Sequence, residues 1–127
     1  MPIDPKERRK YARLDLALTV GYKVIGQVGQ QPANPADAIS QDVSLGGLRL
    51  MTPTSLENGT ELELDINLSD SDPPIKATGE VMWQTKLSNT SYETGVLIKG
   101  MPPEDRGRFM SFVFDQMTKV VINAQAN

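Results

Sequence analysis

Two groups of residues in this chain have the types and spacing to do chemistry. The first is Arg9-Lys10-Tyr11-Ala12-Arg13, immediately preceded by Arg8. An arginine carries a planar fork of donors that grips a phosphate, or the O6/N7 edge of guanine, with paired hydrogen bonds, and its plane stacks on a base. The second group is Asp42-Val43-Ser44-Leu45-Gly46-Gly47. Asp42 can accept from the ring N–H and amino groups of a base, Ser44 offers a small donor and acceptor, and Gly47 permits either a positive φ or a close backbone approach. Taken singly, each has a plainer reading. A basic cluster also serves as a solubilising tail, and an Asp-x-Ser turn also closes a hairpin without any ligand.

The charge distribution sets the first group apart. Residues 1–13 hold five basic and two acidic side chains, whereas the remaining 114 hold eight basic and fourteen acidic ones. The positive charge is therefore local to the leader of an otherwise acidic chain with a net charge of −3. That balance opposes a DNA or RNA partner, which asks for a broad basic face. The absence of histidine and cysteine removes the Ser-His-Asp and Cys-His nucleophiles and thiolate metal sites. No enzyme is expected. Asp65, Asp70 and Asp72 lack calcium-loop spacing. No run of about 18 apolar residues is present, so no membrane insertion is expected. The charged start lacks a secretory pattern, and a cytoplasmic location follows as an expectation.

The elements that must position these groups are legible from hydrophobic period. Residues 1–13 have two prolines and no apolar repeat, and read as a flexible basic arm. From Leu14 onward Leu16, Leu18, Val20, Tyr22 and Val24 fall at every second position, which predicts one strand over 14–24 with a buried face. Shorter strands follow at 38–43, 48–52, 61–68, 75–86 and 92–100, separated by turn-rich stretches. In the fifth, Trp83 continues the inward period of Ile75, Ala77, Gly79 and Val81, which points to packing in the core or on the barrel surface. Pro102 and Pro103 followed by Glu104 and Asp105 open a helix over about 103–124, with Phe109, Phe112, Val113, Gln116, Val120 and Ala124 on its apolar face. Residues 14–124 thus predict one all-β domain, a six-stranded antiparallel barrel or sandwich closed by a C-terminal helix.

The order Arg-x-x-x-Arg, then a strand, then Asp-x-Ser-x-x-Gly resembles the PilZ family of bacterial cyclic di-GMP receptors. The likeness runs over about residues 8–120 and includes Gly79-Glu80-Val81-Met82-Trp83-Gln84 and Glu93-Thr94-Gly95-Val96-Leu97-Ile98. It implies a six-stranded antiparallel barrel with a C-terminal helix and a non-enzymatic ligand site on its outer surface. Arg9 and Arg13 would hold guanine edges or phosphates, Asp42 and Ser44 would contact a guanine, and Gly47 would shape the turn. Arg8 implies two stacked, intercalated copies of the ligand, and Trp83 stands where an aromatic packs on a base in some relatives. The resemblance thus implies a cyclic di-GMP receptor, without a further cofactor, whose arm orders on binding and which signals to a separate protein partner. Two rival readings remain. One is a degenerate PilZ-like interaction module without nucleotide binding. The other is a single-strand nucleic-acid binder using Tyr11, Tyr22 or Trp83 as stacking platforms, which the acidic body opposes.

Overall fold

A computed structural model describes residues 14–25 and 35–126, the side chains from residue 120 on excepted. Six strands and one helix follow one another: β1 (Thr19–Ile25), β2 (Ala36–Val43), β3 (Gly47–Thr52), β4 (Glu61–Ile66), β5 (Ile75–Ser88), β6 (Ser91–Gly100) and α1 (Pro103–Ala126). The strands close into a barrel in the order β1-β2-β3-β6-β5-β4, every pairing antiparallel. Closure removes sheet edges, and the alternation of side chains divides each strand into an inner apolar and an outer polar face. β4 shows this most simply: Leu62, Leu64 and Ile66 are buried while Glu61 and Glu63 are exposed. Leu50, Leu62, Leu64, Ile66, Ile75 and Val81 fill the interior.

The helix covers the barrel with Phe109 and Val113, both buried, and with Phe112 and Met117 packed beside them. Its first turn is fastened to the start of β5. The Asp105 carboxylate accepts from the Lys76 backbone N–H at 2.9 Å, and Arg108 donates to the Pro73 carbonyl at 2.9 Å. The Lys76 amide and then the Arg108 guanidinium hold the Asp105 carboxyl below its ordinary range. The Tyr22 phenol meets the Thr54 hydroxyl at 2.7 Å, and burial pushes its pKa up despite that bond.

The expected strand over 14–24 is corrected. The ladder of β1 begins only at Thr19, and residues 14–18 form a strap along β2 instead. Leu14 makes a two-bond backbone pair with Val43, N–H to carbonyl in both directions at 2.9 Å. Further along, the buried Ser40 hydroxyl accepts from Leu18 N–H at 2.8 Å and donates to the Leu16 carbonyl. The apolar period persists because Leu14 is buried and Leu16 and Leu18 pack against the core. The period reported burial, while the strap's hydrogen bonds are shared between the Ser40 hydroxyl and backbone groups of Ser40 and Val43. Ser40→Ala is expected to leave those two backbone groups without this partner and to lower stability by about 1–3 kcal/mol, read as a lower urea midpoint at unchanged slope.

Candidate ligand site

The hairpin between β2 and β3 positions the second motif. Ser44 N–H donates to the Gly47 carbonyl at 2.9 Å, and the Ser44 hydroxyl accepts from Gly46 N–H and Gly47 N–H at 3.2 and 3.1 Å. Ser44 is thus committed largely to holding its own turn. Gly47 is needed for close approach, because a Cβ there would lie 2.5 Å from the Val96 carbonyl oxygen on β6. Its φ is not positive, so of the two reasons for a glycine only the steric one applies.

Asp42 reaches the outer face through a break in alternation. Ser40 pairs with Leu50 and Asp42 with Arg49, so Gln41 is an extra residue on β2. Such a bulge shifts the parity of everything after it. Without it Asp42 would share the inward face of Ser40, where a carboxylate would meet the apolar core. A second bulge does the same on β5. Val81 pairs with Val96 and Trp83 with Gly95, leaving Met82 as the extra residue. Trp83 therefore leaves the inward period that the sequence predicts and lies on the barrel surface, 37% exposed. The core option is excluded.

The two bulges place four residues in one lateral row across the outside of β2, β3, β6 and β5: Asp42, Arg49, Gly95 and Trp83. With neighbouring strands about 4.8 Å apart, the row spans roughly 14 Å. The Trp83 indole lies over Gly95 so closely that a Cβ on Gly95 would fall 2.2 Å from Nε1. Arg49 sits between the ends. Its Nε is 2.9 Å from Asp42 Oδ2, and its Nη1 donates to Glu93 Oε1 at 3.1 Å. Beside the row a cleft of about 590 Å³ opens between the strap and the outer wall, lined by Asp15, Leu16, Ala17, Ser40, Gln41, Arg49 and Glu93.

Arg8, Arg9 and Arg13 lie outside the described residues. The structure does fix where the chain enters: Leu14, next after Arg13, is paired with Val43, next after Asp42. Arg49 and Glu93 escaped the sequence reading, although a signal existed. Counting outward from the Ser44 and Gly47 pair reaches Val43 with Leu48 and then Asp42 with Arg49. Tyr22 is withdrawn as a stacking platform, since it is 4% exposed and points inward. Asp65 pairs with Lys76 and Ser69 donates to Asp72, and no grouping of three or more acidic side chains suited to a metal ion occurs among the described residues. Among the same residues no helix is long and apolar enough to cross a membrane.

The model of the PilZ domain matches residues 7–115. The chain belongs to the PilZ domain family. No curated protein matches its sequence significantly. Among solved structures, the Bacillus subtilis inhibitor of motility MotI/DgrA is 21% identical, with a TM-score of 0.67 over 94% of this chain and 58% of that one. The PilZ domain of YcgR from Escherichia coli, solved with c-di-GMP, is 12% identical, with a TM-score of 0.64 over 93% of this chain and 98% of that one. MrkH of K. pneumonia in complex with c-di-GMP is 18% identical, with a TM-score of 0.65 over 89% of this chain and 53% of that one. The chain thus spans little more than half the length of MotI/DgrA and MrkH. These likenesses share the PilZ fold, and the closed six-stranded barrel with its C-terminal helix is the architecture that the sequence implies.

The intimate contact of Trp83 with Gly95 is open to test. In Gly95→Ala the ring must leave the β6 backbone, so emission of this single tryptophan should shift to the red. Stability should fall by about 1–3 kcal/mol, the usual cost of overpacking, measured by urea denaturation followed by circular dichroism.

Proposed function

We propose that this chain is a receptor for cyclic di-GMP, not an enzyme, and that Arg8, Arg9, Arg13, Asp42, Ser44, Gly47 and Trp83 form its ligand site. One observation carries the reading. The backbone pair between Leu14 and Val43 ties the end of the basic arm to the Asp42 turn. The residue that follows the first motif is thereby paired with the residue that follows Asp42, some thirty positions on, which supports a ligand shared by the two motifs. The PilZ structures of YcgR and MrkH solved with c-di-GMP support the ligand's identity.

In the mechanism proposed, the dianionic ligand meets the guanidinium groups of Arg9 and Arg13, which bind guanine edges or phosphates and stack on the purines. Asp42 accepts from a guanine on the barrel side, the Ser44 turn holds Asp42 in place, and Gly47 keeps that turn against β6. Trp83, exposed at the far end of the row, offers an aromatic face to a base. Arg8 favours two stacked, intercalated copies of the ligand. The arm becomes ordered over the barrel as it binds, an order–disorder switch biased by ligand contacts, and a separate protein reads the altered surface. A cytoplasmic location and the absence of a direct DNA or RNA partner belong to the same proposal and rest on the local confinement of positive charge. The description of MrkH as a c-di-GMP dependence transcription regulatory factor makes the second point worth testing.

Calorimetry with cyclic di-GMP tests the reading and returns stoichiometry at once. The expected result is saturable binding at two ligands per protein, lost in Arg9→Ala and in Arg13→Ala without change in circular dichroism. Arg13→Lys should not restore it, because an ammonium lacks the bidentate fork. A folded wild-type protein that shows no heat at millimolar ligand overturns the proposal. The role of Trp83 is checked separately: cyclic di-GMP should quench its fluorescence, and an unchanged spectrum at saturation removes it from the site.

A further inference from the structure

We infer that Arg49 is a positioning residue of this site, setting how selectively Asp42 distinguishes guanine from adenine. The inference rests on the ligand reading above and goes beyond it. Arg49 occupies the middle of the lateral row, with Asp42 on the strand to one side and Gly95 on the strand to the other. Its guanidinium is held at both ends, by Asp42 Oδ2 at 2.9 Å from Nε and by Glu93 Oε1 at 3.1 Å from Nη1. The carboxylate it faces is nearly enclosed, with the Asp42 side chain 8% exposed, while the Arg49 side chain keeps 34% exposure toward the cleft.

The geometry is that of a brace. Nε approaches Asp42 closely, yet this buried N–H points at no acceptor in hydrogen-bond alignment among the described residues. Glu93 pulls the far end of the guanidinium and so fixes the side from which Arg49 meets Oδ2. Rotation about the terminal bond of an aspartate is broad for an unrestrained carboxylate. Here it is limited from one side by a planar group anchored on two strands.

That rotation decides base recognition. Guanine offers a carboxylate two adjacent donors, the ring N1–H and the exocyclic amine, and both are met only when the two oxygens lie near the plane of the base. Adenine offers an amine beside an acceptor nitrogen and cannot satisfy a carboxylate in the same pose. A held carboxylate therefore discriminates, and a freely turning one discriminates less. Arg49 also places one positive charge between Asp42 and Glu93, which a dianionic ligand would otherwise meet bare. Its loss weakens every cyclic dinucleotide through charge, whereas loss of the brace alters the ratio between them.

Wild type, Arg49→Lys and Arg49→Ala are titrated calorimetrically with cyclic di-GMP and with cyclic di-AMP, and their thermal midpoints recorded. The wild type should prefer the guanine ligand, and both variants should lower that preference roughly tenfold. Arg49→Lys, which keeps the charge, should leave the midpoint and the weak cyclic di-AMP affinity near wild type. This separates a positioning role from a structural one. If Arg49→Ala is unstable, the lysine variant alone decides. Wild-type selectivity retained in Arg49→Lys overturns the inference while the receptor reading stands. A wild type that binds neither nucleotide overturns both.

Discussion

A closed barrel of this size confronts its own outer surface with a parity constraint. Each strand must give every second side chain to the interior, so a polar group on the wrong parity would be buried in a core of leucine, isoleucine and valine. Two single-residue bulges, at Gln41 and Met82, relieve that constraint at the places where the candidate site lies. Each bulge leaves the preceding residue inside, Ser40 in one case and Val81 in the other, and releases the next paired residue to the wall. The lateral row from Asp42 to Trp83 exists only because both occur. A bulge also raises local twist, and such features concentrate where a sheet must aim particular side chains.

This explains which parts of the molecule were legible in the sequence. Leu62, Leu64 and Ile66 alternate without interruption, and the pattern maps directly onto β4. The Asp-x-Ser-x-x-Gly turn, the proline-led helix start and the buried Phe109 and Val113 are equally readable, because each is marked by a local residue pattern. Trp83 was not, since its facing depends on whether β5 accommodates an extra residue against β6, a matter for two strands together. The strap was missed for a related reason. Residues 14–18 show the apolar alternation of a strand, but the Leu16 carbonyl and the Leu18 N–H bond to the hydroxyl of Ser40, twenty-odd residues away. Arg49 is the intermediate case. Its partner was countable from the turn, but its interest emerges only when Glu93 of β6 is placed beside it.

The same arrangement says something about how the fold and the site share stability. Ser44 uses its hydroxyl to close the hairpin, Ser40 uses its own to clip the strap, and Gly47 and Gly95 give up side chains so that a carbonyl and an indole can sit against the backbone. None of these four contributes charge, yet together they determine where Asp42, Arg49 and Trp83 stand. The motif Asp-x-Ser-x-x-Gly is thus mainly a device of geometry, with Asp42 its one strongly polar group facing the wall. That division suits a receptor surface, in which a rigid framework holds a few polar groups and leaves adaptation to whatever approaches.

Charge placement completes the picture. The wall around the row carries Asp42, Glu93 and Asp15 near the Arg49 guanidinium, and the body as a whole is acidic. A surface of that kind repels polyanions at long range, while screening at physiological salt confines the effect to about 8 Å. On the receptor reading, a small dianion is drawn to such a wall by cations delivered to the spot. The arm carries five of the thirteen basic residues in its thirteen positions and joins the barrel at Val43, beside Asp42. On the receptor reading proposed above, such a layout would favour a compact ligand over a long nucleic-acid backbone, whose phosphates would extend onto the acidic wall. On that same reading, discrimination by size would come from where the positive charge stops, and discrimination by base from how firmly Arg49 holds Asp42.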